Sequence, residues 1–147
     1  EFNIYVDPHA ANIVLNSGIK LTMMGLDVTH KVNVNDEIIN NIKTNNNKSS
    51  KFFAELMEFY SRFHRNLYGT EESPLHDPCV IAYLINEEIF NGKLVNVKVE
   101  ENSELTRGKT VTDWLGVTNR KPNCKVMTEA NTNIFFDLLK KNLAKLT

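Results

Sequence analysis

A helix that stops at Gly18 and gives way at once to Ile19-Lys20-Leu21-Thr22-Met23-Met24-Gly25-Leu26 sets the strongest limit on the fold. A short, largely apolar run directly after a helix stop fits a strand buried on both faces, and such strands belong to parallel sheets covered by helices. The preceding helix is written locally. Asp7 can accept hydrogen bonds from the first free N–H groups, Pro8 fills a position whose N–H has no helical partner, and Ala10, Ala11, Ile13, Val14 and Leu15 supply an apolar face. The expectation is a helix over residues 8–16 and a strand over 19–26. Asp27-Val28-Thr29 would then lie at the strand's carboxyl end, where open α/β sheets place their ligands.

The rest of the chain keeps mixing helices with strands. Residues 36–44 read as a short helix, and Asn45-Asn46-Asn47-Lys48-Ser49-Ser50 as a solvated loop with no chemistry of its own. Phe52, Phe53, Leu56, Met57, Phe59, Tyr60, Phe63 and Leu67 recur at helical spacing, which predicts the longest helix over 51–68 with Ser50 as a cap. Asp77-Pro78 repeats the earlier helix start and opens the apolar run Cys79–Ile85, expected to be buried. Leu94 to Glu100 alternates and Leu105 to Trp114 can return as the second strand of a hairpin. A short strand over 124–128 and an amphipathic helix over 134–146 close the chain. The class is α/β, a mainly parallel sheet flanked by helices, with a β-hairpin.

Composition narrows the partners. A length of 147 residues suits one domain or a piece of one, and 41% hydrophobic with 9% aromatic residues excludes wholesale disorder. With 17 Lys+Arg against 18 Asp+Glu, the chain lacks the basic excess of a nucleic-acid binder and carries no polybasic stripe for a membrane surface. No apolar run approaches the roughly 18 to 20 residues of a membrane span. Cys79 and Cys124 lie far apart and form no CxxC, which reads as two buried thiols in a reducing cytoplasm. The chain opens on Glu1 rather than Met, so an internal segment of a longer protein is expected.

Three constellations carry chemistry. His76-Asp77 sits between two helices: an imidazole can protonate a leaving group near neutral pH, while a carboxylate beside it can bind a hard cation. The plainer reading makes Asp77 a helix cap and His76 a loop residue. Glu1 and Asn3 would point the same way if their stretch is extended, and suit sugar hydroxyls; the alternative is a frayed chain end. Tyr60, His64 and Tyr68 recur at i, i+4 and i+8, a strip that can stack on a planar ring or form the edge of a core. Glycine-rich phosphate loops, GxSxG and HExxH are absent, and the four histidines include no pair at ligand spacing.

Four ordered segments, Glu1 to Ala11 (EFNIYVDPHAA), Gly25 to His30 (GLDVTH), Pro74 to Cys79 (PLHDPC) and Leu105 to Asp113 (LTRGKTVTD), together resemble the C-terminal half of the inosine-uridine nucleoside hydrolase family. The resemblance covers essentially the whole chain. It implies an α/β fold, calcium dependence, and hydrolysis of the N-glycosidic bond of ribonucleosides to ribose and a free base. It implies that Glu1 and Asn3 bind ribose hydroxyls, that Asp77 ligates calcium, and that His76 helps protonate the leaving base. Tyr60, His64 and Tyr68 fall where the family has base-facing residues. Residues 1–147 would then be the C-terminal part of a single hydrolase domain whose N-terminal, aspartate-rich, metal-binding half lies outside this chain. One calcium carboxylate cannot hold the ion, so the chain alone is expected to be inactive, with the missing half and further copies of itself as partners. The competing reading is a non-catalytic hydrolase-like subunit that binds nucleoside weakly or serves oligomerisation.

Overall fold

The computed structural model describes residues 1–70 and 73–146. The chain divides into two compact units, one formed by Glu1–Leu26 with Asn91–Thr128 and the other by Asp27–Phe90 with the segment from Glu129 onward.

In the first unit, α1 (Phe2–Val6) and α2 (Pro8–Asn16) precede β1 (Thr22–Met23). Asp7 caps α2 as expected, accepting the Ala10 N–H at 2.9 Å with Pro8 in the first turn. The sheet runs β1-β6-β4-β5, with β4 at Phe90–Val99, β5 at Thr110–Asp113 and β6 at Cys124–Ala130. β1 pairs parallel to β6 through Thr22↔Lys125 and Met23↔Val126, whereas β4 and β5 form the antiparallel hairpin that the alternation predicts. β4 also runs antiparallel to β6: Asn123 donates to the Val95 carbonyl, and Gly92, earlier in β4, lies against Val126 and Met127, later in β6. The sheet is mixed, with β1 and β6 as its parallel pair. Leu15 joins Val95, Val97, Val99, Cys124 and Val126 in a buried cluster, with Ile4, Ala11, Leu21 and Met23 packed against it. Full burial of a Val or Leu side chain contributes roughly 1.5–3 kcal/mol by removing it from water.

In the second unit, α3 (Leu26–Thr29) leads to β2 (Asn33–Val34), α4 (Asp36–Lys43), α5 (Lys48–Tyr68), β3 (Ser73–Pro74), α6 (Asp77–Ile85), a 3₁₀ turn (Glu87–Ile89) and finally α7 (Thr132–Ala144). β2 and β3 form a short antiparallel ribbon, Asn33↔Pro74 and Val34↔Ser73. α4 packs on α5, where Ile39, Ile42, Ala54 and Met57 are buried.

Several expectations need correction. The strand expected over 19–26 shrinks to Thr22–Met23, and Asp27-Val28-Thr29 belongs to α3, not to a strand end. Glu1-Phe2-Asn3 is not extended: α1 starts at Phe2, with the Tyr5 N–H bonded to the Glu1 carbonyl. α5 begins three residues early because Asn47, not Ser50, is its cap and accepts the Ser50 N–H at 2.9 Å. The asparagine loop is structural rather than merely solvated. Asn45 donates to the Lys140 carbonyl and Asn47 to the carbonyls of Leu143 and Leu146, satisfying acceptors that the end of α7 leaves open. α6, expected to be buried, hides only Cys79 and Ala82, while Val80, Ile81, Leu84 and Ile85 are 46–73% exposed. Both cysteines are free and buried, as expected. Among the described residues no helix is long and apolar enough to cross a membrane.

Candidate active site

Glu1 and Asn3 lie in the first unit, and its hairpin grips the short helix beside them. Arg107 donates to the Tyr5 carbonyl at 3.0 Å and its guanidinium carbon stands 5.6 Å from the centre of the Tyr5 ring. Gly108 packs directly beneath: a Cβ there would meet the Tyr5 Cα at 2.6 Å, and its φ of +83° is one that glycine adopts without strain. The same loop reaches α2, since Glu101 accepts from Asn12 and pairs with His9 at 2.9 Å. Glu1 itself turns a carboxylate oxygen onto the Leu26 N–H. Its carboxylate is therefore already partly engaged, and Asn3 is exposed. Because this stretch is helical, residues 1 and 3 are separated by about 200° around the axis and do not share a face as an extended chain would provide.

The other expected residues lie in the second unit. Tyr60, His64 and Tyr68 do form a strip along α5, with ring centroids 4.6 Å apart for Tyr60–His64 and 5.1 Å for His64–Tyr68. Exposure rises along it: Tyr60 and His64 are half-buried and Tyr68 is exposed. The Tyr60 hydroxyl donates to the Pro74 carbonyl at 3.1 Å, which ties the strip to the segment leading into His76. Burial, with Tyr68 nearby, raises the Tyr60 hydroxyl above its ordinary range. Burial, followed by the His76 and His30 rings, pulls His64 below the usual histidine value. A neutral, partly desolvated imidazole between two phenols suits a flat heterocycle.

His76 stands at the head of α6, its ring 5.6 Å from that of His30 and its Nδ1 2.9 Å from the Thr29 hydroxyl. Asp77 follows as the first helical residue and is exposed. It is not a cap: His76 occupies that position, and no side chain there bonds the free N–H groups. Below the pair, the Cys79 thiol donates to the Leu75 carbonyl at 3.0 Å, and burial pushes it up to about 12, so it stays protonated and serves packing. Among the described residues no group of three or more His, Cys, Asp or Glu is placed to hold a metal ion. Asp77 can provide one oxygen ligand to a cation whose other ligands come from elsewhere.

Sequence reasoning missed Thr29 and His30 as neighbours of His76, and Arg107 and Gly108 as the clamp on α1. All four stood in the segments GLDVTH and LTRG, but their spacing gives no hint of partners 46–103 residues away.

The family described as inosine-uridine preferring nucleoside hydrolase matches residues 1–137. A pyrimidine-specific ribonucleoside hydrolase RihA of Shewanella oneidensis is 45% identical across the whole chain, and another from Citrobacter koseri is 43% identical over 98% of it. Each match covers 46% of the relative, so the chain spans about half the length of these curated relatives. Among solved structures, a purine-preferring ribonucleoside hydrolase from Gardnerella vaginalis superposes with a TM-score of 0.84 at 28% identity, covering all of this chain and 48% of that one.

Proposed function

The chain belongs to the inosine-uridine preferring nucleoside hydrolase family, and from that premise we propose that it is the C-terminal part of a calcium-dependent enzyme that hydrolyses pyrimidine ribonucleosides to ribose and free base. The observation that carries this reading is the His76-Asp77 pair at the head of α6, where the carboxylate is exposed and takes no part in capping the helix. The pyrimidine preference rests on the names of the 43–45% identical relatives.

Cleavage of the C1′–N bond sends its electron pair to the base and leaves an oxocarbenium-like ribose, which water then attacks. His76 transfers a proton to the departing base, so that a neutral molecule leaves. Tyr60, His64 and Tyr68 bind the planar ring, and Glu1 and Asn3 hold ribose hydroxyls. Asp77 would give one oxygen to a calcium ion, which when bound would supply a hard positive centre able to lower the pKa of a water. With one carboxylate of the set, this chain by itself is expected to show no turnover.

The test is ribose release from uridine and inosine by the full-length protein, with and without calcium, beside His76→Ala. Calcium-dependent turnover that favours uridine and falls by about 10²–10⁴ in His76→Ala is the expected result. No release by a folded full-length protein would instead support a non-catalytic subunit, and release indifferent to His76→Ala would remove His76 as the proton donor.

A further inference from the structure

We propose that the cavity at the amino end of β1 is a binding site for phosphomonoesters that carry an apolar ring or chain, with Lys20, Lys98, Arg120 and Lys121 around the phosphate. The cavity lies wholly within the first unit. It measures about 870 Å³, inside the range of roughly 300–1,000 Å³ typical of small-molecule sites. It opens beside Gly18 to Leu21, at the other end of the β1 segment from Leu26, the residue that engages Glu1.

Five cationic side chains line it, Lys20, Lys98, Arg120, Lys121 and Lys125, and among the described residues no carboxylate does. In a chain with 17 basic and 18 acidic residues, this is a local excess rather than a sample of the whole surface. Among the described residues, Lys20, Lys98, Arg120 and Lys121 form no ion pair. Five like charges around one hollow repel one another, and a bound dianion offsets that repulsion. Protection of a sheet edge does not account for them. Lysines on an edge strand discourage further pairing, but Lys98 lies on β4 and Lys125 on β6, both internal to the β1-β6-β4-β5 sheet.

Three asparagines hold the walls in place. Asn96, 8% exposed on β4, donates to the Lys121 carbonyl at 2.8 Å and fastens the basic stretch at 120–121 to the sheet. Asn123 donates to the carbonyls of Leu15 and Val97 and accepts the Val97 N–H. Asn16, its amide fixed by two bonds to Asn12, turns its oxygen to the Lys98 ammonium at 3.1 Å. That acceptor is neutral, so Lys98 is oriented without being neutralised. Cations held in this way lose less freedom when a ligand arrives, and the Arg120 fork can meet two phosphate oxygens at once. Leu15, Ile19, Leu21, Leu94 and Pro122 add apolar lining. A bare phosphate ion leaves that surface wet, whereas an ester with a ring or chain covers it.

The probe is phenyl phosphate, titrated by calorimetry into the full-length protein at low salt, beside inorganic phosphate and phenol as its two halves. We expect saturable binding of one phenyl phosphate per chain, at least tenfold weaker binding of inorganic phosphate, and none of phenol. Lys20→Gln and Lys121→Gln should each weaken phenyl phosphate by about threefold to tenfold, with the thermal midpoint unchanged. Lys20→Arg keeps the charge, and Lys109→Gln removes one in the same unit but outside the cavity; both should stay within about twofold of the parent. Because the readout is binding, it is decided independently of the hydrolase reading. No binding by the folded full-length protein, the outcome if another part of that protein fills the cavity, would overturn the inference. Inorganic phosphate binding as tightly as the ester, or ester binding that Lys20→Gln and Lys121→Gln weaken no more than Lys109→Gln does, would overturn it as well.

Discussion

Asp-Pro opens two helices of this chain, and the two carboxylates end in different situations. At α2, Asp7 holds the cap position and accepts the Ala10 N–H. At α6, the helix begins one residue earlier relative to the dipeptide, so Asp77 lies inside the first turn and His76 stands at the cap without a capping bond. Both carboxylates still meet the positive end of a helix. Only one is consumed by it. Forgoing a cap costs α6 about 1 kcal/mol, a sacrifice typical of a group kept for another task.

The sharpest way to break this contrast is to remove each carboxylate in the full-length protein. Asp77→Ala should abolish calcium-dependent ribose release, a loss of at least about a hundredfold, with little change in thermal stability. Asp7→Ala should do the reverse, lowering stability by about 1 kcal/mol while turnover persists. Comparable activity losses in both would mean that Asp77 has no role in turnover that Asp7 lacks.

The clamp on α1 provides an intermediate case, since it anchors Glu1 and Asn3 from a distance. Gly108→Ala places a methyl against the Tyr5 backbone at a positive φ, and should destabilise by about 2 kcal/mol or more and weaken ribose binding with it. Urea unfolding together with KM for uridine measures both; an unchanged midpoint would show that the hairpin does not hold α1.

The smallest effect sharpens the contrast at the head of α6, where a buried thiol underlies the exposed carboxylate. Because the folded Cys79 value is raised, the native state holds its proton where an unfolded chain, with a value near 9, would lose it. The contribution is complete below pH 9 and is lost as pH rises from there toward about 12. Cys79→Ala should flatten the alkaline fall in stability, read from unfolding midpoints at pH 7 to 10.5, and native Cys79 should resist thiol reagents at pH 8.

What the sequence revealed and what it withheld divide along the range of the forces involved. Asp7-Pro8, the periodic apolar residues of 51–68 and the alternation after Leu94 are local patterns, and α2, α5 and the hairpin follow from them. The helical turn at Phe2–Val6 depends on Arg107 and Gly108, about a hundred residues away, and no local pattern records that contact. Continuous apolarity in Cys79–Ile85 states that these residues avoid water, not which face finds a neighbour, and four of them remain exposed. The asparagine loop has the composition of a solvated turn, yet its amides bracket the end of α7. At the candidate site, the strip on α5 was legible because i, i+4 geometry is intrinsic to a helix. Thr29 was not, because only the β2–β3 register brings it to His76.

The central claim is that Asp77 serves a metal-dependent hydrolase while its counterpart Asp7 serves the fold. Calcium titration of ribose release from uridine, carried out on the full-length protein and on its Asp77→Ala and Asp7→Ala variants, tests it most directly. The account predicts a saturating calcium response in the parent and in Asp7→Ala, and none in Asp77→Ala at any calcium concentration. Full turnover by Asp77→Ala with the parent's calcium dependence would contradict it and return Asp77 to the surface of an ordinary helix.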